Sequence, residues 1–193
     1  MKRFLTILLV LALLATSVTA FAATSITNAT SLSGSELNDV TPFKFEHKKQ
    51  GIDCGVCPVY SAPSLDAYRA ANGRATVDTN SRIDIGGFEN GWLLVRYQTN
   101  NGSNRVGWIP SEYVKNVETP MTPHFSSIPQ VATEHLYVTD NNLDPYDNSS
   151  YFAVLEPGET YYVVGRYNYY DYDFWYIEFT LDDQVARGFI LNQ

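Results

Sequence analysis

The chain has 193 residues, with 13 Lys and Arg against 21 Asp and Glu and a formal net charge of −8. That balance excludes a nucleic-acid partner, because counterion-release binding needs clustered Lys and Arg and here they are few and scattered. Two cysteines exclude a disulfide-dense scaffold, so the core must come from packing.

Met1-Lys2-Arg3 is a short basic segment, Phe4 to Ala15 is apolar, and Ala20-Phe21-Ala22 supplies an A-x-A cleavage pattern. Residues 1–22 therefore read as a secretory signal peptide. The apolar run falls short of the roughly 18 residues a membrane span needs. Cleavage after Ala22 leaves 171 of the 193 residues and, by removing Lys2 and Arg3, takes the net charge from −8 to −10. The mature chain is expected to be secreted and not membrane-spanning. The nearest cysteine to the cleavage site is Cys54, too far for a lipid anchor, so any association with the cell envelope would be non-covalent.

Residues 23–51 read as a flexible leader, polar and small through about Val40. Phe43-Lys44-Phe45 alternates and fits a short strand ahead of the first domain. Residues 52–117 then carry short β-branched or aromatic runs, Val59-Tyr60, Arg82 to Ile85, Leu93 to Tyr97 and Arg105 to Ile109. The turn pairs Asn72-Gly73, Asn90-Gly91 and Asn101-Gly102 punctuate them. Leu65 to Ala71 predicts two helical turns, with Pro63 as start and Asn72-Gly73 as stop. Residues 118–130 read as a linker, since three prolines fall between Glu118 and Pro129. Strand signals resume over residues 131–193.

The two halves repeat. Val77 precedes Gly87 by ten residues, and Leu155 precedes Gly165 by ten. Ile83 and Ile85 stand between the first pair, Tyr161 and Val163 between the second. Trp92 to Tyr97 followed by Gly107-Trp108-Ile109 answers Phe174 to Phe179 followed by Gly188-Phe189-Ile190. Two copies point to a tandem of small β domains rather than a solenoid.

In this order and spacing the residues resemble the bacterial SH3-type (SH3b) domain. Cys57 to Pro63 is similar to its opening strand, with Tyr68 at a position where the family often has an aromatic. Leu136 to Asp140 is a second, divergent copy of that strand without the proline. Leu155-Glu156-Pro157-Gly158-Glu159 resembles the family's turn into the next long strand. Asn90-Gly91-Trp92, Gly107-Trp108-Ile109 and Gly188-Phe189-Ile190 resemble its Gly-aromatic strands, and Ser111-Glu112-Tyr113-Val114 its tail turn. The resemblance implies an all-β fold, two small SH3-like β-barrels in tandem. It also implies a domain that binds cell-wall peptidoglycan or short peptides.

The densest feature is YNYYDYDFWYIEF, Tyr167 to Phe179. Aligning Gly87 with Gly165 and Trp92 with Phe174 places a four-residue insertion in the second half, so Asn168 to Asp173 reads as a lengthened hairpin loop. Trp175, Ile177 and Phe179 share one strand face and read as core. Tyr167, Tyr169, Tyr170 and Tyr172 are rigid amphipathic rings suited to ligand contact, with Asp171 and Asp173 as hydrogen-bond acceptors. Covering a neighbouring domain is the alternative. Tyr60 and Tyr68 are the corresponding ligand candidates in the first half.

Cys54-Gly55-Val56-Cys57 is a CxxC pair, but a strand follows it rather than a helix, so a local disulfide or a small buried hydrophobe fits better than redox chemistry. His47, His124 or His135 with the two cysteines match no zinc spacing, and Asp140 to Asp144 lacks the calcium-loop pattern. No nucleophile, metalloprotease or hydrolase motif occurs. The expectation is a secreted, non-catalytic binding module without cofactor or metal. Its partner would be peptidoglycan or a peptide or protein ligand. The alternative is an extracellular protein–protein adaptor, with a wall-hydrolase accessory or redox protein behind it.

Overall fold

In the computed structural model, residues 34–47, 52–115, 125–140 and 151–192 are described. The signal peptide, most of the leader and Asn141 to Asp144 lie outside them. Strands dominate the chain. A short helix, α1 (Gly34–Asn38), precedes β1 (Pro42–Phe43) and β2 (Glu46–His47). The first half then has β3 (Val56–Pro58), β4 (Thr76–Asp78), β5 (Ile83–Glu89), β6 (Trp92–Gln98) and β7 (Asn104–Pro110), closed by a 3-10 turn at Ser111–Tyr113. The second half has β8 (Ile128–Val131), β9 (Leu136–Thr139), β10 (Tyr151–Leu155), β11 (Thr160–Tyr169), β12 (Tyr172–Leu181) and β13 (Gln184–Leu191). No described helix is long and apolar enough to cross a membrane.

The repeat is structural. The pairs β3 with β4 and β9 with β10 are both antiparallel, and Cys57 faces Val77 as Leu136 faces Leu155. The meanders β5-β6-β7 and β11-β12-β13 follow, each with a bulge at the same place, between Ile85 and Gly87 and between Val163 and Gly165. Each last strand crosses the first at one point, Trp108 against Tyr60 and Phe189 against Thr139. Glycine sits next to both crossings because a side chain there would run into the neighbouring strand. A Cβ on Gly107 would lie 2.9 Å from the Tyr60 carbonyl oxygen, and one on Gly188 3.0 Å from that of Thr139.

No closed barrel forms among the described residues. The first half is a β2-β5-β6-β7 sheet beside a separate β3-β4 ribbon. The second is one open sheet, β11-β12-β13-β9-β10, flanked by β1 and β8 on β11. One bridging pair at each crossing is too little ladder to close the cylinder.

The continuous apolar runs of β6 and β12 are explained by burial on both faces. Leu93, Val95 and Tyr97 enter the first half's core with Val77, Ile85 and Ile109. Ile177 and Phe179 enter the second half's core with Val138, Val163 and Ile190. The opposite faces meet in a third core shared by the halves, where Leu94, Val106 and Trp108 pack with Phe174, Tyr176 and Phe189.

That shared core recruits segments expected to be loose. Phe43 sits at its centre, 5.5 Å from the Tyr167 ring and 5.8 Å from Tyr176. The stretch from β1 to β2 pairs with β11 of one half and β5 of the other, so the leader reading of residues 23–51 is corrected over residues 34–47, where a strand includes Phe43 as its alternation suggests. The linker reading of residues 118–130 is corrected at its end. Phe125 packs edge-on to Trp108 at 5.4 Å, and β8 pairs with β11, its Pro129 tolerated on an edge strand. The helix expected over Leu65 to Ala71 is also absent. Tyr68 is held out of a helix because its N–H donates to the Val185 carbonyl at 2.9 Å and its carbonyl accepts the Ser61 N–H at 2.8 Å. Tertiary pairing overrides helix propensity there, leaving a turn at Ala70–Gly73.

Candidate functional site

The tyrosine-rich insertion is not a loop. β11 and β12 continue through it, with Tyr167 opposite Phe174, Asn168 opposite Asp173 and Tyr169 opposite Tyr172, leaving a two-residue turn at Tyr170-Asp171. Strand alternation then sorts the side chains. Tyr167 points inward, is buried in the shared core, and accepts a 3.5 Å hydrogen bond from Arg96 Nη1. Burial pushes its hydroxyl pKa up. Tyr167 is therefore corrected from ligand contact to packing. Tyr169 and Tyr172 are half-buried against the same core. Tyr170 and Asp171 are exposed at the tip, and the Tyr170 ring meets Tyr169 edge-on at 4.6 Å.

Asp173 is not a free acceptor either. Arg166 donates to it through Nε at 2.8 Å and Nη2 at 2.6 Å, and Asn192 Nδ2 donates at 2.6 Å. Burial pushes its carboxyl pKa up, but these hydrogen bonds outweigh it and hold the group below the usual carboxylate range. Arg166 in turn lies 5.3 Å over the Trp175 ring.

In the first half, Tyr68 stacks on Phe152 at 5.7 Å and is spent on the second half. Tyr60 remains half-buried at the surface, edge-on to Trp92 at 5.4 Å with Arg69 5.5 Å over its ring. Cys54 and Cys57 have Cα atoms 5.8 Å apart and their sulfurs face each other, within the span a disulfide bridges. Cys57 is buried on β3. Among the described residues no group of three His, Cys, Asp or Glu is placed to hold a metal.

A concave surface lies elsewhere. A recess of about 510 Å³ opens where β9 and β13 diverge beyond the Phe189–Thr139 pair. Its size falls within the range of small-ligand sites. Tyr161 and Trp175 form apolar walls, Leu136, Tyr137 and Tyr151 line the β9–β10 side, and Ile190 to Asn192 line the other. Thr133, Glu134 and His135 supply the polar rim, with His135 Nε2 2.9 Å from Glu156. The arrangement can stack flat or apolar groups and accept or donate a few hydrogen bonds.

The sequence reading missed this recess. Its signal was a departure from the repeat, since Trp175 stands where the first half has Leu93 and Tyr161 where it has Ile83. Leu93 and Ile83 are fully buried, whereas Trp175 and Tyr161 are half-buried.

No family model matches the chain, and neither does any curated protein. Among solved structures, NlpC2 from Trichomonas vaginalis is similar over 74% of this chain and 45% of its own, at 16% identity and a TM-score of 0.26. The chain thus spans less than half of that protein's length. A likeness at that TM-score carries no argument about function.

Proposed function

We propose that the protein is a secreted, non-catalytic binding module built from two SH3-type units, and that it recognises cell-wall peptidoglycan or a peptide ligand. The carrying observation is the aromatic recess at the β9–β13 divergence, walled by Tyr161 and Trp175. Half-buried rings beside a few polar groups, Glu134 and His135 among them, suit a ligand held by stacking and hydrogen bonds. The SH3-type assignment is supported by the shared strand order, the matched bulges and the crossing glycines of the two halves. The tip residues Tyr169, Tyr170, Asp171 and Tyr172, together with Tyr60, are secondary contact surfaces in this reading.

Co-sedimentation of the mature chain with purified peptidoglycan sacculi tests it. Pelleting at both low and high salt is expected. A chain that stays in the supernatant overturns the wall reading. An extracellular adaptor would then be the better account, which the acidic charge and the exposed Tyr170 also favour.

A further inference from the structure

Arg69 stands apart from the other shielded arginines of the described residues. Arg96 pairs with Asp84, Arg105 with Asp140, Arg166 with Asp173, and Arg187 with both Glu89 and Glu178. Arg69 is half-buried like most of them, yet it pairs with no carboxylate among the described residues. Neutral groups hold its guanidinium instead. Nη2 donates to the Ala75 carbonyl at 3.0 Å, and Cζ lies 5.5 Å over the Tyr60 ring. Nε has no partner, and Nη1 makes no hydrogen bond among the described residues.

The backbone fixes this arrangement. Arg69 is extended, at φ −121° and ψ 120°, just before the Ala70–Gly73 turn. In that turn Ala71 and Asn72 are left-handed, at φ 55° and 54°, a conformation an alanine adopts only where its surroundings impose it. The turn brings the chain back so that the Ala75 carbonyl accepts from the Val59 N–H at 3.0 Å as well as from Arg69. Tyr60, next in the chain, is locked to Trp108 by two backbone hydrogen bonds of 2.9 and 2.7 Å. Its ring meets Trp92 edge-on at 5.4 Å. The Tyr60 hydroxyl and the Trp92 indole N–H make no hydrogen bond among the described residues, and neither atom is buried.

The repeat unit does not itself require these side chains. Thr139 takes the place of Tyr60 at the second crossing, and Phe174 takes that of Trp92. Both are buried, whereas Tyr60 and Trp92 are half-buried with their polar tips open. The first half thus gathers three hydrogen-bond donors, one of them cationic, where the second half has a closed core.

We infer that Arg69, Tyr60 and Trp92 form a site for the carboxylate of a peptide. A carboxylate offers only acceptors, and its charge matches the guanidinium that no acid of the chain neutralises. Arg69 Nη1 would donate to it, with the Tyr60 hydroxyl and the Trp92 indole as neutral donors beside it. The two rings shield one side of the contact and receive the small apolar groups next to the carboxylate. A neutral glycan hydroxyl would leave the guanidinium charge unmatched. The inference rests on the reading of Tyr60 as a contact surface and names what that surface takes. It holds whether or not the recess at β9 and β13 is a ligand site.

The test is an NMR titration of the full mature chain with acetyl-alanyl-alanine, whose terminal carboxylate is free. Its C-terminal amide serves as the uncharged control, and acetyl-glutamic acid amide offers a side-chain carboxylate instead of a terminal one. The expected result is saturable shifts of the Trp92 indole and of the Tyr60 and Arg69 amides with a free carboxylate, absent with the uncharged control. A response to both carboxylates, or to one, supports the site and tells which source it takes. Arg69→Gln should weaken binding about tenfold or more with the rest of the spectrum intact, and Tyr60→Phe, which removes one neutral donor, by less. No shift with either carboxylate, equal shifts with the uncharged control, or an undiminished response from Arg69→Gln overturns the inference. Sacculus pelleting without these shifts would remove it and leave the wall reading standing. Shifts without pelleting would support it and remove the wall reading alone.

Discussion

The indole N–H of Trp108 donates a 2.8 Å hydrogen bond to the hydroxyl of Tyr176, and both side chains are fully buried. One residue belongs to each half, so the polar contact sits in the middle of the core the halves share. Burial pushes the Tyr176 hydroxyl well above its ordinary pKa, and it stays a neutral acceptor. Tyr176→Phe leaves a buried N–H without a partner and should cost about 1–3 kcal/mol. Because the core is common property, both halves should unfold in one transition, read by coincident fluorescence and circular dichroism curves. Two separated transitions would contradict this.

Arg187 is the second tie between the halves. Its guanidinium donates to Glu89 of the first half at 2.6 and 3.2 Å and to Glu178 at 2.7 Å, and it lies 5.4 Å over the Trp108 ring. Its side chain is 7% exposed, so the pairs are shielded from salt. Arg187→Ala should lower stability by roughly 3–5 kcal/mol, measured by urea unfolding, and Glu89→Gln by less, since Glu178 still pairs with the guanidinium. A loss under about 1 kcal/mol for Arg187→Ala would place this contact among ordinary surface ion pairs.

The crossing glycines make a matched pair of predictions. Gly107→Ala and Gly188→Ala each drive a methyl group toward a backbone carbonyl that cannot move without opening the strand crossing. Each should destabilise by about 1–3 kcal/mol in thermal or urea unfolding. A tolerated alanine at either site would mean that the strand crossing is looser than the structure has it.

Stability should depend on pH through two carboxyls of opposite sign. Asp140 is buried with its carboxylate 3.6 Å from Arg105 Nε, and its main-chain oxygen accepts the Val106 N–H. Burial raises its pKa from 3.8 to about 6, against a smaller opposing pull from Arg105. The folded chain therefore holds a proton that the unfolded chain has lost, and stability falls as pH rises from about 4 to about 6. Asp173 is shifted down, so its contribution is present above its unfolded pKa and is lost as pH falls through the folded one, below about 4. Asp140→Asn should flatten the slope between pH 4 and 6 and leave the acid limb, in thermal unfolding from pH 3 to 8. An unchanged slope would contradict the assignment.

Much of the fold was legible because local and tertiary preferences agree. The runs Trp92 to Tyr97 and Phe174 to Phe179 are β strands in either context, and Asn90-Gly91 turns where the sequence places it. The elements missed were set by tertiary pairing. Two-residue strands such as Glu46–His47 are too short to show a period, and the Tyr68 N–H is held by the Val185 carbonyl of the other half. At the candidate site, clustering in sequence misled. Alternation along β11 turned Tyr167 into the core, while Tyr161 and Trp175, spaced apart in sequence, came together at the recess.

The tip of the hairpin carries its own prediction. Tyr170 adopts φ 51°, a left-handed conformation that costs a non-glycine residue roughly 1–2 kcal/mol. Tyr170→Asn should raise stability by up to about 1 kcal/mol, since asparagine tolerates that backbone better. A lower melting temperature would mean that the exposed ring contributes packing beyond its contact with Tyr169.

The most direct measurement compares Trp175→Leu with a tip variant, Tyr169, Tyr170 and Tyr172 all changed to Ser, in sacculus pelleting at low and high salt. The account predicts that the tip variant still pellets while Trp175→Leu remains in the supernatant with its melting temperature largely kept. Pelleting of Trp175→Leu at the level of the unmodified chain would contradict the recess as the binding site.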